Sequence, residues 1–178
     1  MEIIKPIGIS EQKLVVEATA DYVERAQQLF GADFSQVTVR FDLKGKAAGM
    51  YRVRKGERVI RYNSYLFAKY FDDNLAVTVP HEVAHYITDM VYGLRRIRPH
   101  GPEWKQLMAD FGADASRTCS YDLDGIPQRV YQRFPYRCDC TRHDLTARRH
   151  NQIQDGKKLY FCRQCGAPLA PLSGKSEQ

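Results

Sequence analysis

The sequence predicts an α+β protein, helices with a small antiparallel sheet, followed by a separate C-terminal module built around paired cysteines. Three observations predict it. Apolar residues recur at helical spacing near both ends of the first hundred positions, in Leu14, Val15, Ala18, Tyr22, Ala26 and Leu29 and again around Val79–Tyr92. Between them lie the short strand-like pieces Val37–Phe41, Ala48–Val53 and Val59–Tyr62, punctuated by Lys44-Gly45 and Lys55-Gly56 as hairpin turns. Beyond Asp122 helix signals thin out, arginines multiply and cysteines appear in pairs.

Taken in order, Ser10 offers an N-cap for a first helix that runs to Phe30 and stops at Gly31. Asn63 and Ser64 can cap a short helix reaching Tyr70. The segment around Val79–Tyr92 forms the next helix, ended by Gly93. Pro80, which has no N–H to donate, either occupies its first turn or kinks a longer helix that begins near Asp73. The apolar run Leu75–Val79 favours the kink. A further helix spans Pro102–Phe111, with proline suited to its first turn and Gly112 behind it. These elements divide the chain into residues 1–124, a cysteine module at 125–172 and a disordered tail, Ser173–Gln178.

The 178 residues suit one domain of roughly 100–150 residues plus a small module, and a hydrophobic content of 43% suffices for a core. The start, Met1-Glu2-Ile3-Ile4-Lys5-Pro6, lacks the basic and apolar regions of a secretory signal. No apolar run approaches the roughly 18 residues a membrane span needs. A cytoplasmic monomer without a membrane is therefore expected. In that setting paired cysteines read as metal ligands rather than disulfides. The net charge of +6 is concentrated. Residues 40–61 carry eight Lys or Arg against two acids, and residues 129–163 carry nine against three. Two such blocks point to a polyanion partner, the bland alternative being a solvated surface that evens out in three dimensions.

The chemistry centres on His81-Glu82-Val83-Ala84-His85. Residues four apart share a helix face, so His81 and His85 can present both imidazoles to one zinc ion. Glu82 lies about 100° around the axis from His81, close enough to act on a metal-held water without ligating. Zinc lowers the pKa of such a water to about 7, and Glu82 would be the general base. A catalytic zinc takes three protein ligands and leaves one position open. After a connection of fourteen residues from His85 comes His100, at the head of Gly101-Pro102-Glu103-Trp104, where the chain can turn back toward the first pair. Glu103 is the rival third ligand. Position 91, where a histidine six residues after the second would give the metzincin spacing, is Val91.

A second metal site is expected in the module. Cys162-Arg163-Gln164-Cys165-Gly166 is a knuckle, whereas Cys138 and Cys140 are separated by a single residue. Cys138, Cys140, Cys162 and Cys165 are the favoured ligands of a structural zinc. His143, separated from Cys140 by two residues, makes a three-cysteine, one-histidine site the alternative. Cys119, without a nearby partner, reads as a small buried side chain. Arg137, Arg142, Arg148, Arg149, Lys157 and Lys158, interleaved with aromatics such as Tyr136 and Tyr160, are candidate contacts to nucleic acid, in the manner of sequence-tolerant single-strand binders. His150 is expected to be polar or DNA-facing.

Over residues 10–170 the chain resembles the SprT family, the bacterial group related to the Spartan metalloprotease. The resemblance rests on Pro80-His81-Glu82-Val83-Ala84-His85, His100-Gly101-Pro102-Glu103-Trp104, and a tail with Tyr136-Arg137-Cys138-Asp139-Cys140 and Arg148-Arg149-His150-Asn151. It implies a zincin-like fold with a zinc ribbon appended, His81, His85 and His100 as ligands of a catalytic zinc, and Glu82 as the catalytic residue. Spartan-type relatives cleave proteins crosslinked to DNA and are stimulated by single-stranded DNA. Protein substrates on DNA are the corresponding expectation here. The competing class is a nucleic-acid-binding protein whose metals are structural only.

Overall fold

In the computed structural model, helix α1 spans Ile9–Phe30. Its cap is Gly8, whose N–H donates to Glu11 Oε2 at 2.8 Å, so the helix begins ahead of the expected Ser10. Residues 4–115, 121–127 and 131–172 are described. Cys119 and the tail Ser173–Gln178 lie outside them, and with them the burial and disorder expected there. The chain divides into two compact units, Met1–Gln128 and Arg129–Gln178.

In the first unit a sheet follows α1, made of β1 (Thr38–Arg40), β2 (Gly49–Arg54) and β3 (Glu57–Tyr62) in the order β1-β3-β2. β2 and β3 form an antiparallel hairpin in which Tyr51 faces Ile60, closed by Lys55 and Gly56, both at positive φ. The sheet is not the purely antiparallel one expected, because β1 pairs with β3 in parallel. β3 has Val59, Ile60 and Tyr62 at 1% exposure or less, and such a strand belongs in the middle of a sheet. That leaves β1 only its far side, where the chain direction makes the pairing parallel. Side chains alternate between the two faces. Tyr51, Ile60 and Tyr62 point at the helices, Tyr62 Oη lying 3.0 Å from Thr19 Oγ1 of α1.

Asn63 caps α2 (Ser64–Lys69), its Oδ1 accepting from the N–H groups of Tyr65 and Leu66. Helical backbone then continues from α3 (Phe71–Asp73) through a π-helical turn at Asn74–Thr78 into α4 (Val79–Tyr92). The longer helix favoured from the sequence is thus present, and its irregularity is the wide turn rather than a break. Val79 N–H bonds to Asn74 O, five residues back. Pro80 follows directly, its missing N–H and its ring accommodated by the loosened register. Helix α5 (Pro102–Asp110) completes the unit. Val15 and Ala26 of α1, Ile60 of β3, Val83 and Ile87 of α4 and Leu107 of α5 share one core. Each valine, isoleucine or leucine among them contributes about 1.5–3 kcal/mol.

The second unit pairs β4 (Arg133–Arg137) with β5 (Arg142–Thr146) and with the short β6 (Ala170–Pro171), all antiparallel. It also contains a helix the sequence did not signal, α6 (Ala147–Gln154). Among the described residues no helix is long and apolar enough to cross a membrane.

Candidate metal centres

Helix α4 carries His81 and His85 one turn apart, and the loop from Gly93 returns His100 to face them. His100 Nε2 lies 3.0 Å from His81 Nε2 and 3.1 Å from His85 Nε2. Nitrogens held at about 2.0–2.1 Å around a tetrahedral ion would stand roughly 3.3 Å apart, close to both His100 distances, and all three donors lie within 4.8 Å of one another. Glu103, the rival ligand, is not among the converging donors. Burial holds His81 down to about 4 and His85 down to about 3, the neighbouring imidazoles adding to the effect. Both rings are therefore neutral, with lone pairs available to a cation.

His100 adopts a left-handed backbone (φ 56°), uncommon outside glycine and maintained only where the surroundings impose it. Here Gly101 and Pro102 start α5 immediately afterwards, which fixes the turn. Trp104, 2% exposed, forms the floor. Its ring centroid lies 4.8, 5.6 and 4.7 Å from those of His81, His85 and His100, and its indole N–H donates to His81 O at 3.3 Å. The motif His100-Gly101-Pro102-Glu103-Trp104 contains this residue without signalling a role for it. That it is the chain's single tryptophan was the available signal.

Glu82 is 6% exposed, and its Oε2 accepts from the N–H of Tyr51 on β2 at 2.6 Å. Burial raises this carboxyl to about 7, the Tyr51 hydrogen bond working in the opposite direction. A carboxyl poised there can take up and release a proton near neutrality. Gly49, on the same strand, allows the approach, since a Cβ at that position would stand 2.6 Å from Glu82 Cγ and 2.7 Å from its Oε1. A cleft of 370 Å³ opens over the centre, lined by Met50, Tyr51 and Val53 of β2, by His81, Glu82 and His85, and by Leu94, Pro99 and His100.

Asp89, one turn beyond His85, joins these parts. It accepts from Tyr51 Oη at 2.6 Å, from Arg58 Nε at 2.7 Å and from the Leu94 N–H at 3.0 Å. Burial opposes its ionisation, yet these donors hold its carboxyl below the usual range. Nothing in the sequence marked Asp89, Tyr51 or Gly49.

In the second unit the sulfurs of Cys138, Cys140, Cys162 and Cys165 all lie within 4.8 Å of one another. Cys138 to Cys140 is 3.4 Å and Cys140 to Cys162 is 3.7 Å, close to the roughly 3.8 Å of a tetrahedral thiolate site. The Thr141 N–H points at Cys138 Sγ (3.3 Å) and the Gln164 N–H at Cys162 Sγ (3.4 Å). The amides of Cys165 and Gln164 hold the Cys162 thiol below its usual range, which favours the ligating thiolate. His143 Nε2 sits 3.2 Å from Cys138 Sγ, against one sulfur rather than among the four. Arg137, Arg142, Arg148, Arg149, Lys157 and Lys158 are all exposed. Arg137 and Arg142 face each other across β4 and β5, Arg149 lies over the Tyr160 ring, and Lys157 pairs with Asp155. His150 is half-buried, stacked on Phe134 at 3.8 Å with its Nδ1 3.0 Å from Tyr136 Oη, so it belongs to the unit's packing rather than to its outer surface.

Residues 19–131 match the family model described as SprT-like. The match spans the three histidines and ends before the four cysteines. The chain is 38% identical over 161 residues to Protein SprT of Vibrio atlanticus, covering 90% of this chain and 93% of that protein. It is 36% identical over 148 residues to Protein SprT of Pasteurella multocida, with 83% and 86% covered. With Protein SprT of Serratia proteamaculans it shares 33% over 170 residues, covering 95% and 96%. No solved structure matches the chain significantly.

Proposed function

This chain belongs to the SprT-like family, and we propose that it is a zinc-dependent endopeptidase acting on proteins associated with or crosslinked to DNA. The observation that carries the reading is the convergence of three imidazole nitrogens, His100 Nε2 lying 3.0 Å from His81 Nε2 and 3.1 Å from His85 Nε2, with the buried carboxyl of Glu82 on the helix that carries His81 and His85. His81, His85 and His100 would hold the ion in a zincin-like unit, and the donor set of three nitrogens suits zinc with one position left open. When bound, zinc supplies Lewis acidity that lowers the pKa of water to about 7 and polarises a carbonyl.

The remaining work falls to the chain's own groups. Glu82 takes a proton from the attacking water at its carboxylate and delivers it to the leaving amine. The Tyr51 N–H anchors Oε2, holding the side chain beside His81 and His85 instead of letting it swing free. Trp104 presses on all three imidazoles and restricts their rotation. In the second unit, Cys138, Cys140, Cys162 and Cys165 would hold a structural zinc as a ribbon. The exposed cations there support a DNA-associated substrate. Clustered free cysteines fit a reducing compartment, and we place the enzyme in the cytoplasm.

The test is digestion of a protein substrate with and without single-stranded DNA, comparing the native chain with Glu82→Gln. The variant should lose at least about 100-fold in rate, the scale of general-base catalysis, while retaining its metal. Unchanged proteolysis by Glu82→Gln would overturn the assignment and leave the competing reading, a nucleic-acid-binding protein with structural metals.

A further inference from the structure

The first basic block of the sequence takes no part in the metal centre. Alternation along β2 and β3 explains where it goes. Tyr51, Ile60 and Tyr62 point at the helices, so Arg52, Arg54 and Arg61 point to the sheet's opposite face, and the register Arg40↔Arg61 puts Arg40 beside them. Three adjacent strands thus bring four arginines onto one surface.

Two of the four are oriented by acids, Arg40 by Glu57 at 2.6 Å and Arg61 by Asp42 at 2.7 Å. The other two have no acidic partner among the described residues. Arg54 is exposed, and Arg52 has a buried Nε with no hydrogen-bond acceptor at all. A guanidinium N–H withdrawn from water and left unpaired is costly, so little opposes Arg52 turning its guanidinium outward to an external oxygen acceptor. Arg52 and Arg54 are two residues apart on one face, so roughly 7 Å separates them along the strand.

We propose that this outer face of the sheet binds the phosphate backbone of nucleic acid, as a second polyanion surface separate from the cysteine module and independent of the metal centre. Arginine's planar fork pairs with phosphate oxygens in bidentate fashion, and arginine dominates here. A membrane surface fits less well, because peripheral binding couples cations to an exposed apolar wedge. Of the apolar residues that these strands turn to this face, Val59 is 1% exposed and Met50, paired with Arg61, is 38% exposed, which leaves a single thioether side chain and no broad apolar wedge. A protein partner would want an aromatic or aliphatic anchor, and no aromatic residue points outward from these strands.

The experiment is fluorescence-anisotropy titration of the full chain with a labelled thymidine oligonucleotide of about 20 nucleotides, comparing native protein with Arg52→Gln/Arg54→Gln at several salt concentrations. Nucleotide binding by the cysteine module is common to both proteins, so the difference reads the sheet alone. The double variant should bind about ten-fold more weakly at low salt. Its plot of log K against log salt should be shallower by about 1.4, two phosphate contacts at roughly 0.7 each. An unchanged affinity and slope would overturn the proposal. So would unchanged oligonucleotide binding together with lost binding to phosphatidylserine vesicles, since the surface would then serve a membrane. If the double variant melts early, Arg40→Gln, exposed on the neighbouring strand of the same face, decides the matter. It should weaken oligonucleotide binding in the same direction, and native affinity would count against the proposal. No arm depends on proteolysis, so failure of the endopeptidase reading and failure of this one remain distinguishable.

Discussion

At the scale of single residues the centre depends on the contact of the Glu82 side chain with the backbone of β2 as much as on the three histidines. Glu82 reaches the Tyr51 N–H only because residue 49 has no side chain. Adding one methyl there places a carbon 2.6–2.7 Å from Glu82 Cγ, Glu82 Oε1 and Thr78 Cγ2, closer than nonbonded atoms tolerate. Gly49→Ala should therefore displace the carboxylate. We expect kcat to fall about ten-fold or more with KM and metal content near native, since a misplaced base weakens the chemical step without removing a ligand. The overall cost in stability should be about 1–3 kcal/mol, read from urea unfolding. Native kcat in this variant would show that the contact is incidental.

At the scale of elements, Asp89 couples α4 to both arms of the β2–β3 hairpin and to the start of the loop that leads to His100. Removing its charge in Asp89→Asn should cost about 1–3 kcal/mol, a loss of charge-assisted hydrogen bonds measured as a lower Tm at pH 6. The pH dependence follows from the direction of the shift. A carboxyl whose folded pKa lies below its unfolded value of about 3.9 stabilises fully above that value. The contribution disappears as pH falls through the lower, folded pKa. The Tm difference between native protein and Asp89→Asn should accordingly narrow as pH drops below about 4. A gap that stays constant or widens would mean that the carboxylate charge is not what joins these elements. Arg58 is the more exposed charged partner, so the part-buried bonds from the Tyr51 hydroxyl and the Leu94 amide should account for much of the effect.

At the scale of the whole chain the two units should respond differently to metal removal. The first has a continuous core spanning α1, the sheet, α4 and α5. The second buries only Tyr136, Leu145 and Cys162 among its described apolar and cysteine residues. A unit with so little core would owe its folding to a metal bound by its four cysteines. Strong chelation should abolish amide protection in residues 131–172 while the helices of residues 9–110 keep most of theirs, as read by hydrogen exchange. Elemental analysis of the native protein should find two metal ions per chain. Persistent protection of β4 and β5 after complete metal loss would argue that the second unit is held by packing alone.

The features legible in the chain are those set within a turn or two of backbone. The His81–His85 spacing, the Asn63 cap, the proline at the head of α5 and the Cys162–Cys165 knuckle each depend on residues a few positions apart. Local geometry is decided by local sequence. His100 was visible because a ligand is sought once two are in hand, although its left-handed backbone was not. What the sequence concealed lies between distant segments. Tyr51 is 31 positions from the carboxylate it anchors, Trp104 is 23 positions from the carbonyl it binds, and the parallel pairing of β1 depends on β3 taking the centre of the sheet. Periodicity identifies strands without ordering them, because order is settled by which strand buries most when the helices close over the sheet. The ligand pair was thus written in one helix, whereas the floor, the anchor and the arginine face came only with the packing of elements far apart in the chain.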